Sequence, residues 1–171
     1  MGELNTQKRK MEVIVKNLQT KISLQIPQII KLIKAILKFK GIGKGCLSIV
    51  FVTNQHIKSI NKKFLKRNHV TDVLAFGFNE VGSKKQIKGH PQTNRCNADI
   101  IISAEMALQN AKKFKTSLDD EIILYMIHGI LHVLGFDDHD ARDIKKIRRE
   151  EQRIFEYLRS TVKKLELTND S

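Results

Sequence analysis

The chain has 171 residues, 41% of them hydrophobic and 29% charged, which is typical of a globular domain and excludes a disordered or fibrous protein. Its 31 lysines and arginines outnumber its 18 aspartates and glutamates, so the formal charge of +13 favours a nucleic acid as partner over an acidic membrane surface. No apolar run reaches the roughly 18 residues of a membrane span, and residues 1–10 lack the apolar stretch of a secretion signal. We therefore expect one cytoplasmic domain over residues 1–171, with its core at about 10–165.

Aromatic residues make up only 6% of the chain and tryptophan is absent, so we expect contacts with phosphates rather than extensive stacking of bases. The two cysteines, Cys46 and Cys96, lie far apart and without CxxC spacing, which argues against both a disulfide framework and thiolate ligation of a metal. Buried free thiols are the simpler interpretation.

The first half of the chain has the pattern of two strands, each followed by a helix. β-branched residues predict a strand within residues 12–24, and apolar residues at helical spacing predict a helix from Ile26 to Phe39. The apolar run 47–53 predicts a central strand, and Asn54 is the expected N-cap of a helix over 55–65. The inner face of that helix is expected to carry Ile57, Ile60 and Phe64.

The second half begins with two further predicted strands, at residues 71–78 and 98–103. The polar segment 79–97 between them is predicted to be a loop that either contacts nucleic-acid phosphates or is a solvated hairpin. Helices are predicted over 104–115 and over 141–165, the latter as an amphipathic helix that closes the core. The candidate phosphate contacts of the loop are Lys84, Lys85, Lys88 and Arg95.

A buried helix is predicted to run from a capping pattern at Ser117 and Asp120 to Leu134, because its residues are apolar on nearly every side. His128 and His132 lie four residues apart on this helix, so their side chains point from the same face. Burying two imidazoles without partners is costly. The pair is therefore either satisfied by hydrogen bonds within the core or bound to a metal ion.

A third metal ligand can follow the helix, because Gly135 can take a left-handed conformation and turn Asp138 or His139 back toward the histidines. Three protein ligands and one open position are typical of catalytic zinc sites. The spacing from His128 to Asp138 is that of metzincin zinc sites, H-x-x-x-H-x-x-G-x-x-ligand. However, Gly129 stands where HExxH hydrolases have the glutamate that acts as general base, which argues against peptide hydrolysis.

The sequence HGILHVLGFDDH at 128–139 resembles the His-Gly-x-Leu-His-x-x-Gly-Tyr-Asp-His signature of the YbeY family of rRNA-maturation endoribonucleases. Asn61 together with 71–76 is similar to the family's Thr-Asp-Val-Leu-Ser-Phe block, and 98–103 is similar to its Gly-Asp-Ile-x-Ile-Ser block. The resemblance covers about residues 10–160. It implies an α+β fold, a single domain with a small mixed sheet packed with helices, and one zinc ion at the end of the buried helix.

Two positions depart from the family pattern. The third histidine of the family falls on Asp138, and His139 follows one residue later. We favour Asp138 as the third ligand, with His139 as the alternative, because Asp138 keeps the register and aspartate is a competent zinc ligand. The arginine expected after the aromatic residue of the Asn61 block is Leu65 here, and Arg67 lies two residues further on.

The resemblance implies a single-strand-specific metallo-endoribonuclease that matures the 3′ end of small-subunit rRNA and takes part in ribosome quality control. RNA and the ribosome would be its partners, without a small-molecule cofactor or a membrane. The metal ligands would be His128, His132 and Asp138, and the general base is unidentified. Two alternatives remain at this stage: a zinc peptidase-like hydrolase, and a ribosome-associated RNA-binding protein without catalytic activity, in which the metal is structural.

Overall fold

A computed structural model describes residues 10–78, 94–161 and 167–168 of the chain. Within these ranges there are four strands and five helices. In chain order they are β1 (Glu12–Asn17), α1 (Ile26–Phe39), β2 (Lys44–Val52), α2 (Asn54–Leu65), β3 (Val73–Gly77), β4 (Arg95–Ser103), α3 (Ala104–Phe114), α4 (Leu118–Val133) and α5 (Ala141–Thr161).

The strands form one mixed sheet with the order β1-β2-β4-β3. β1, β2 and β4 are parallel neighbours, whereas β3 pairs antiparallel with β4, with Ala75 opposite Ile100. β3 is therefore an edge strand of this sheet, and one of its sides has no neighbouring strand among the described residues. The α+β fold with a small mixed sheet that the sequence predicted is confirmed.

The two faces of the sheet are covered unequally. On one face, helices α1, α4 and α5 enclose the main core together with buried strand residues such as Ile49 and Ile100. On the other face, α2 contributes Ile57 to a small cluster with Val52 and Leu74. Because side chains alternate along a strand, β3 gives Val73 to the first cluster and Leu74 to the second.

Helix α4 is buried over most of its length, as its continuous apolar pattern predicted. It lies close against the sheet at Gly129, where a Cβ atom would lie 2.8 Å from Cγ2 of Ile100 and 3.1 Å from Cγ2 of Val73. Real Cβ atoms almost never lie within 3.0 Å of another heavy atom, so the contact with Ile100 is too short. A glycine is therefore required there by packing, because any side chain would push the helix away from β3 and β4.

Several predicted boundaries were wrong by a few residues. β2 and β4 each begin earlier than predicted, so Arg95 lies in a strand and is not a loop residue. β1 occupies Glu12–Asn17, inside the range 12–24 that was predicted to hold a strand, and α5 is described up to Thr161, so its predicted end at 165 lies outside the described residues. Strand pairing sets the starts of β2 and β4, because the two strands are paired over their whole common length, from Lys44 opposite Arg95 onward, including the polar residues at their starts.

The predicted start and inner face of α2 also need correction. Thr53, not Asn54, is the N-cap, because its side-chain oxygen accepts a hydrogen bond from the backbone N–H of His56 at 3.3 Å. Asn54 is the first helical residue, and its Oδ1 accepts a hydrogen bond from Oγ of Ser103 at 2.6 Å. Phe64 is not part of the core: 60% of its surface is exposed. Its ring packs edge to face against Phe76 of β3 instead, with the ring centroids 5.9 Å apart.

Two further expectations can be compared with the described residues. No helix among them is long and apolar enough to cross a membrane. Both cysteines are free, as predicted, but only Cys96 is buried, and burial raises the pKa of its thiol to about 11. Cys46 is half-buried, because it lies near the start of β2, where the sheet is only partly covered.

Candidate metal centre

Three candidate ligands converge at the C-terminal end of α4. One ligand atom each from His128, His132 and Asp138 lies within 4.8 Å of the other two. The two Nε2 atoms of the histidines are 2.8 Å apart, and Oδ2 of Asp138 is 3.9 Å from Nε2 of His132. The helix period explains the first pair, because residues four apart lie one above the other on a helix.

The third residue arrives through the turn that ends α4. Gly135 has φ of 92°, in the left-handed region that glycine adopts without strain, as the sequence predicted. Phe136 then donates its backbone N–H to the carbonyl oxygen of Leu131 at 3.0 Å, which closes the turn. After it, Asp140 accepts hydrogen bonds at Oδ1 from two backbone N–H groups of the first turn of α5, each at 2.8 Å. The segment that carries Asp138 is thus fixed at both ends.

Each histidine is oriented by a hydrogen bond at its other ring nitrogen. Nδ1 of His132 lies 3.1 Å from the carbonyl oxygen of Phe136, and Nδ1 of His128 lies 2.5 Å from Oε1 of Glu151. Because both partners are acceptors, each Nδ1 carries the proton and each neutral ring presents the lone pair of Nε2 to the site. Metal-binding histidines in proteins have this arrangement.

The sequence did not single out Glu151. It lies on α5, 23 residues after its partner His128, and in the sequence it is one of many charges on an amphipathic helix. The side chain is nevertheless only 14% exposed. The sequence held one signal for Glu151. It lies four residues after Ile147 and three before Ile154, so the helical period places this carboxylate on the buried side of α5.

The electrostatics of the two histidines differ. Burial lowers the pKa of His128, but the hydrogen bond and charge of Glu151, with the charges of Asp72 and Asp138, outweigh burial, so this pKa is raised. Burial and then the charge of His128 lower the pKa of His132. Two imidazole lone pairs at 2.8 Å repel each other unless a proton or a cation lies between them. The site is therefore built to hold a positive charge.

His139, the alternative third ligand, points away from the histidine pair. Its side chain is 81% exposed, and its Nε2 lies 3.3 Å from Oδ1 of Asp137. A second group, made of Asp137, Asp138 and His139, also has ligand atoms within 4.8 Å, but two of its three members are exposed. The geometry favours Asp138 as the residue that completes the buried pair.

The three sequence blocks that resemble one family meet around this site. Val73 and Ile100 come from the second and third blocks, and both contact α4 at Gly129. The adjacent Asp72 adds its charge to the environment of His128. Asn61 is buried and donates from Nδ2 to the carbonyl oxygen of His69 at 3.0 Å, so it fixes the turn that leads to β3.

The predicted phosphate contacts are less well defined. Lys84, Lys85 and Lys88 lie outside the described residues, and Arg95 is exposed at the start of β4. Leu65, at the position where the family pattern has arginine, is the last residue of α2 and is 43% exposed. Arg67 follows in an exposed turn.

Comparison with known proteins gives a consistent result. The family model described as Endoribonuclease YbeY matches residues 8–159. The chain is 32% identical over 152 residues to Endoribonuclease YbeY of Caldicellulosiruptor bescii, covering 85% of this chain and 96% of that protein. The protein of the same name from Thermodesulfovibrio yellowstonii is 30% identical over 166 residues, covering 88% of this chain and 99% of its own. The solution structure of TM1509 from Thermotoga maritima matches with a TM-score of 0.52 at 20% identity, over 88% of this chain and 93% of that one, which shows a shared fold.

Proposed function

Because the chain belongs to the YbeY family of endoribonucleases, we propose that it is a zinc-dependent enzyme that cleaves single-stranded RNA during maturation of the 3′ end of small-subunit rRNA. We further propose that it is a single domain over 1–171 that works on the ribosome in the cytoplasm, including in ribosome quality control. The observation that carries the metal part of this proposal is the convergence of two oriented histidines and one carboxylate at the end of a buried helix.

The donor set fits zinc. Two imidazole nitrogens and one carboxylate oxygen are ligands that zinc accepts, and three protein ligands leave a position open for water or substrate. His128, His132 and Asp138 would hold the ion, while Glu151 and the carbonyl of Phe136 keep the two rings in place. When bound, the ion supplies Lewis acidity for hydrolysis of a phosphodiester.

The protein itself supplies orientation and a partly enclosed site. The histidine side chains are each 25% exposed and that of Asp138 is 49% exposed, so the cluster opens toward solvent on the aspartate side. A substrate phosphate can approach from that side. The buried side is closed by α5, which carries Glu151, and this carboxylate also balances the positive charge of the site.

Metal removal tests the proposal. The purified protein is expected to contain about one zinc ion per chain and to cleave single-stranded RNA, and chelation should abolish cleavage until zinc is restored. Metal content is measured by mass spectrometry and cleavage on denaturing gels, with duplex RNA and a peptide as parallel substrates. Cleavage that persists in the fully metal-free protein would contradict the mechanism. Peptide hydrolysis without RNA cleavage would support the peptidase alternative, and bound metal without turnover would support the RNA-binding alternative.

Replacing Glu151 by glutamine is expected to weaken zinc binding about 10- to 100-fold, the range typical of a lost outer-sphere partner. The neutral amide oxygen of glutamine accepts a weaker hydrogen bond from Nδ1–H of His128 than the charged carboxylate does. Zinc affinity is measured by competition with a chromogenic chelator. Glu156→Gln, an exposed change on the same helix, is the matched control. Equal affinities for the two variants would show that Glu151 has no role in the site.

A further inference from the structure

Three phenylalanines come from the C-terminal ends of α2 and β3: Phe64 lies in the last turn of α2, Phe76 lies in β3, and Phe78 directly follows β3. Phe64 is 60% exposed and Phe78 is 57% exposed, whereas most apolar residues of the chain lie in the core. The rings of Phe64 and Phe76 contact each other edge to face, with centroids 5.9 Å apart. We call Phe64, Phe76 and Phe78 the aromatic platform. Phe78 is two residues after Phe76 and continues the pairing with β4 through its backbone N–H, which donates to Asn97 at 2.8 Å, so strand alternation places it on the same side of β3 as Phe76.

The platform lies beside an exposed basic segment. Every residue from 62 to 69 is exposed, and this segment contains four cationic side chains and no carboxylate. Nζ of Lys63 lies 5.3 Å from the centre of the Phe64 ring. Within the described part of the chain, none of the four pairs with an acidic side chain. The four are Lys62, Lys63, Lys66 and Arg67.

The turn that carries these cations is held in place. Lys66 has φ of 60°, a left-handed conformation that is strained for a residue with a side chain. The backbone N–H groups of Lys66 and Arg67 both donate to the carbonyl oxygen of Asn61. The side chain of Asn61 holds the far end of the turn at His69. The segment is therefore a fixed surface beside the rings.

The strand that carries Phe76 also contacts the helix that carries the two histidines. Gly77, between Phe76 and Phe78, faces α4, because its Cβ position lies 4.0 Å from the carbonyl oxygen of Val133. Val133 is the residue after His132. Edge strand β3 thus has the platform at its C-terminal end and the histidine-bearing end of α4 against its other face.

We propose that the aromatic platform stacks on unpaired bases of single-stranded RNA, while the cations of residues 62–69 contact its phosphates. This inference rests on the proposed function and names a surface that holds the substrate of the nuclease. Aromatic rings next to a basic track are the combination that binds single strands without sequence preference. A protein partner fits the surface less well, because lysine is depleted in the cores of protein interfaces. Duplex RNA fits it less well too, because its bases are not available for stacking.

The test compares Phe64→Ala with Phe114→Ala. Phe114 is a matched control, because it is 59% exposed and has Nζ of Lys113 5.0 Å from its ring centre, yet it lies on α3. Binding of a fluorescein-labelled single-stranded RNA of about 12 nucleotides is measured by anisotropy in the presence of a chelator, so that cleavage does not consume the probe. Phe64→Ala should weaken binding at least about 5-fold and Phe114→Ala should not, since one stacked base contributes at least ~1 kcal/mol.

Two further variants separate stacking from charge. Phe64→Tyr, which keeps an aromatic ring, should retain the wild-type affinity, whereas Phe64→Leu should behave like Phe64→Ala. Lys63→Ala should reduce the dependence of affinity on salt by roughly one phosphate contact, and Phe64→Ala should leave that dependence unchanged. Thermal unfolding checks that the exposed substitutions leave the fold intact.

The outcomes distinguish this inference from the proposed function. Wild-type affinity in Phe64→Ala or in Phe64→Leu, or equal losses in Phe64→Ala and Phe114→Ala, would overturn the platform and leave the nuclease proposal standing. If wild-type protein binds single-stranded RNA through the platform but never cleaves it with zinc bound, the platform stands and the nuclease proposal fails.

Discussion

Alanine at His128 or at His132 is expected to remove stoichiometric zinc from the purified protein and, with it, RNA cleavage. Four-ligand structural zinc sites bind with about 10–16 kcal/mol, or roughly 3–4 kcal/mol per ligand, so losing one ligand should weaken binding by about 10²- to 10³-fold. Both side chains point at the same spot, with Nε2 atoms 2.8 Å apart, so neither can replace the other. Zinc content after dialysis and cleavage of single-stranded RNA are the two measurements.

The same experiment decides between the two candidates for the third ligand. Asp138→Ala should lose zinc to a similar degree, whereas His139→Ala should keep it, because His139 is 81% exposed and turned toward Asp137. The two residues are neighbours in one turn, so each variant controls for disturbance of the loop by the other. Retention of zinc in Asp138→Ala together with its loss in His139→Ala would overturn the assignment. Full zinc retention in both histidine variants would overturn the site as a whole.

Glutamate at Gly129 is expected to destabilise the protein by about 4 kcal/mol or more and to create no peptidase activity. This substitution restores the HExxH pattern in the sequence, but the Cβ atom alone would lie 2.8 Å from Ile100. Overpacking typically costs about 1–3 kcal/mol, and a carboxylate forced toward the apolar sheet adds the cost of an unpaired buried charge. Urea unfolding measures the change in the free energy of unfolding, and peptide cleavage is assayed in parallel.

Two alanine variants act as controls for that effect. Gly129→Ala gains about 1 kcal/mol of helix propensity and loses about 1–3 kcal/mol to the close contact, so its net loss should stay at or below about 2 kcal/mol. Gly43→Ala meets nothing within 4 Å and should stay within about ±0.5 kcal/mol of wild type. A Gly129→Glu protein with wild-type stability would show that packing does not require glycine there. A stable variant that also hydrolyses peptides would revive the peptidase alternative.

The close contact of α4 with the sheet at Gly129 gives a structural reason why this chain has glycine where HExxH peptidases have glutamate. In the sequence, Gly129 shows only that the glutamate general base of HExxH hydrolases is missing at this position. In the fold, it is a point where α4 packs against β3 and β4 with no room for a Cβ atom, which would lie 2.8 Å from Ile100 and 3.1 Å from Val73. The helix that carries the histidines can lie this close to the sheet only if position 129 has no side chain. A glutamate general base at this position is therefore incompatible with the packing of α4 against β3 and β4.

The sequence by itself determined the features that depend on neighbours in the chain. The helical spacing of His128 and His132, the left-handed turn at Gly135 and the cap at Ser117 are local, because backbone geometry within a few residues sets them. The burial of α4 also followed from apolar periodicity, which reports how much of an element must be covered, and the α+β arrangement was what the resemblance to the family implied. The metal-ligand assignment for His128, His132 and Asp138 stays a prediction until zinc is measured.

Only the tertiary structure decided the features that join distant segments. Glu151 reaches His128 from another helix, and the orientation of α5 that makes this possible is set by packing rather than by local pattern. Phe64 contacts Phe76 of β3 but keeps 60% of its surface exposed, so the helical pattern that marked it as core was wrong. The direction of Asp138 and His139 likewise depends on the cap of α5 at Asp140. Contacts between residues that are far apart in the chain depend on how the packed helices and strands are aligned with each other. No local pattern in a single sequence contains that alignment.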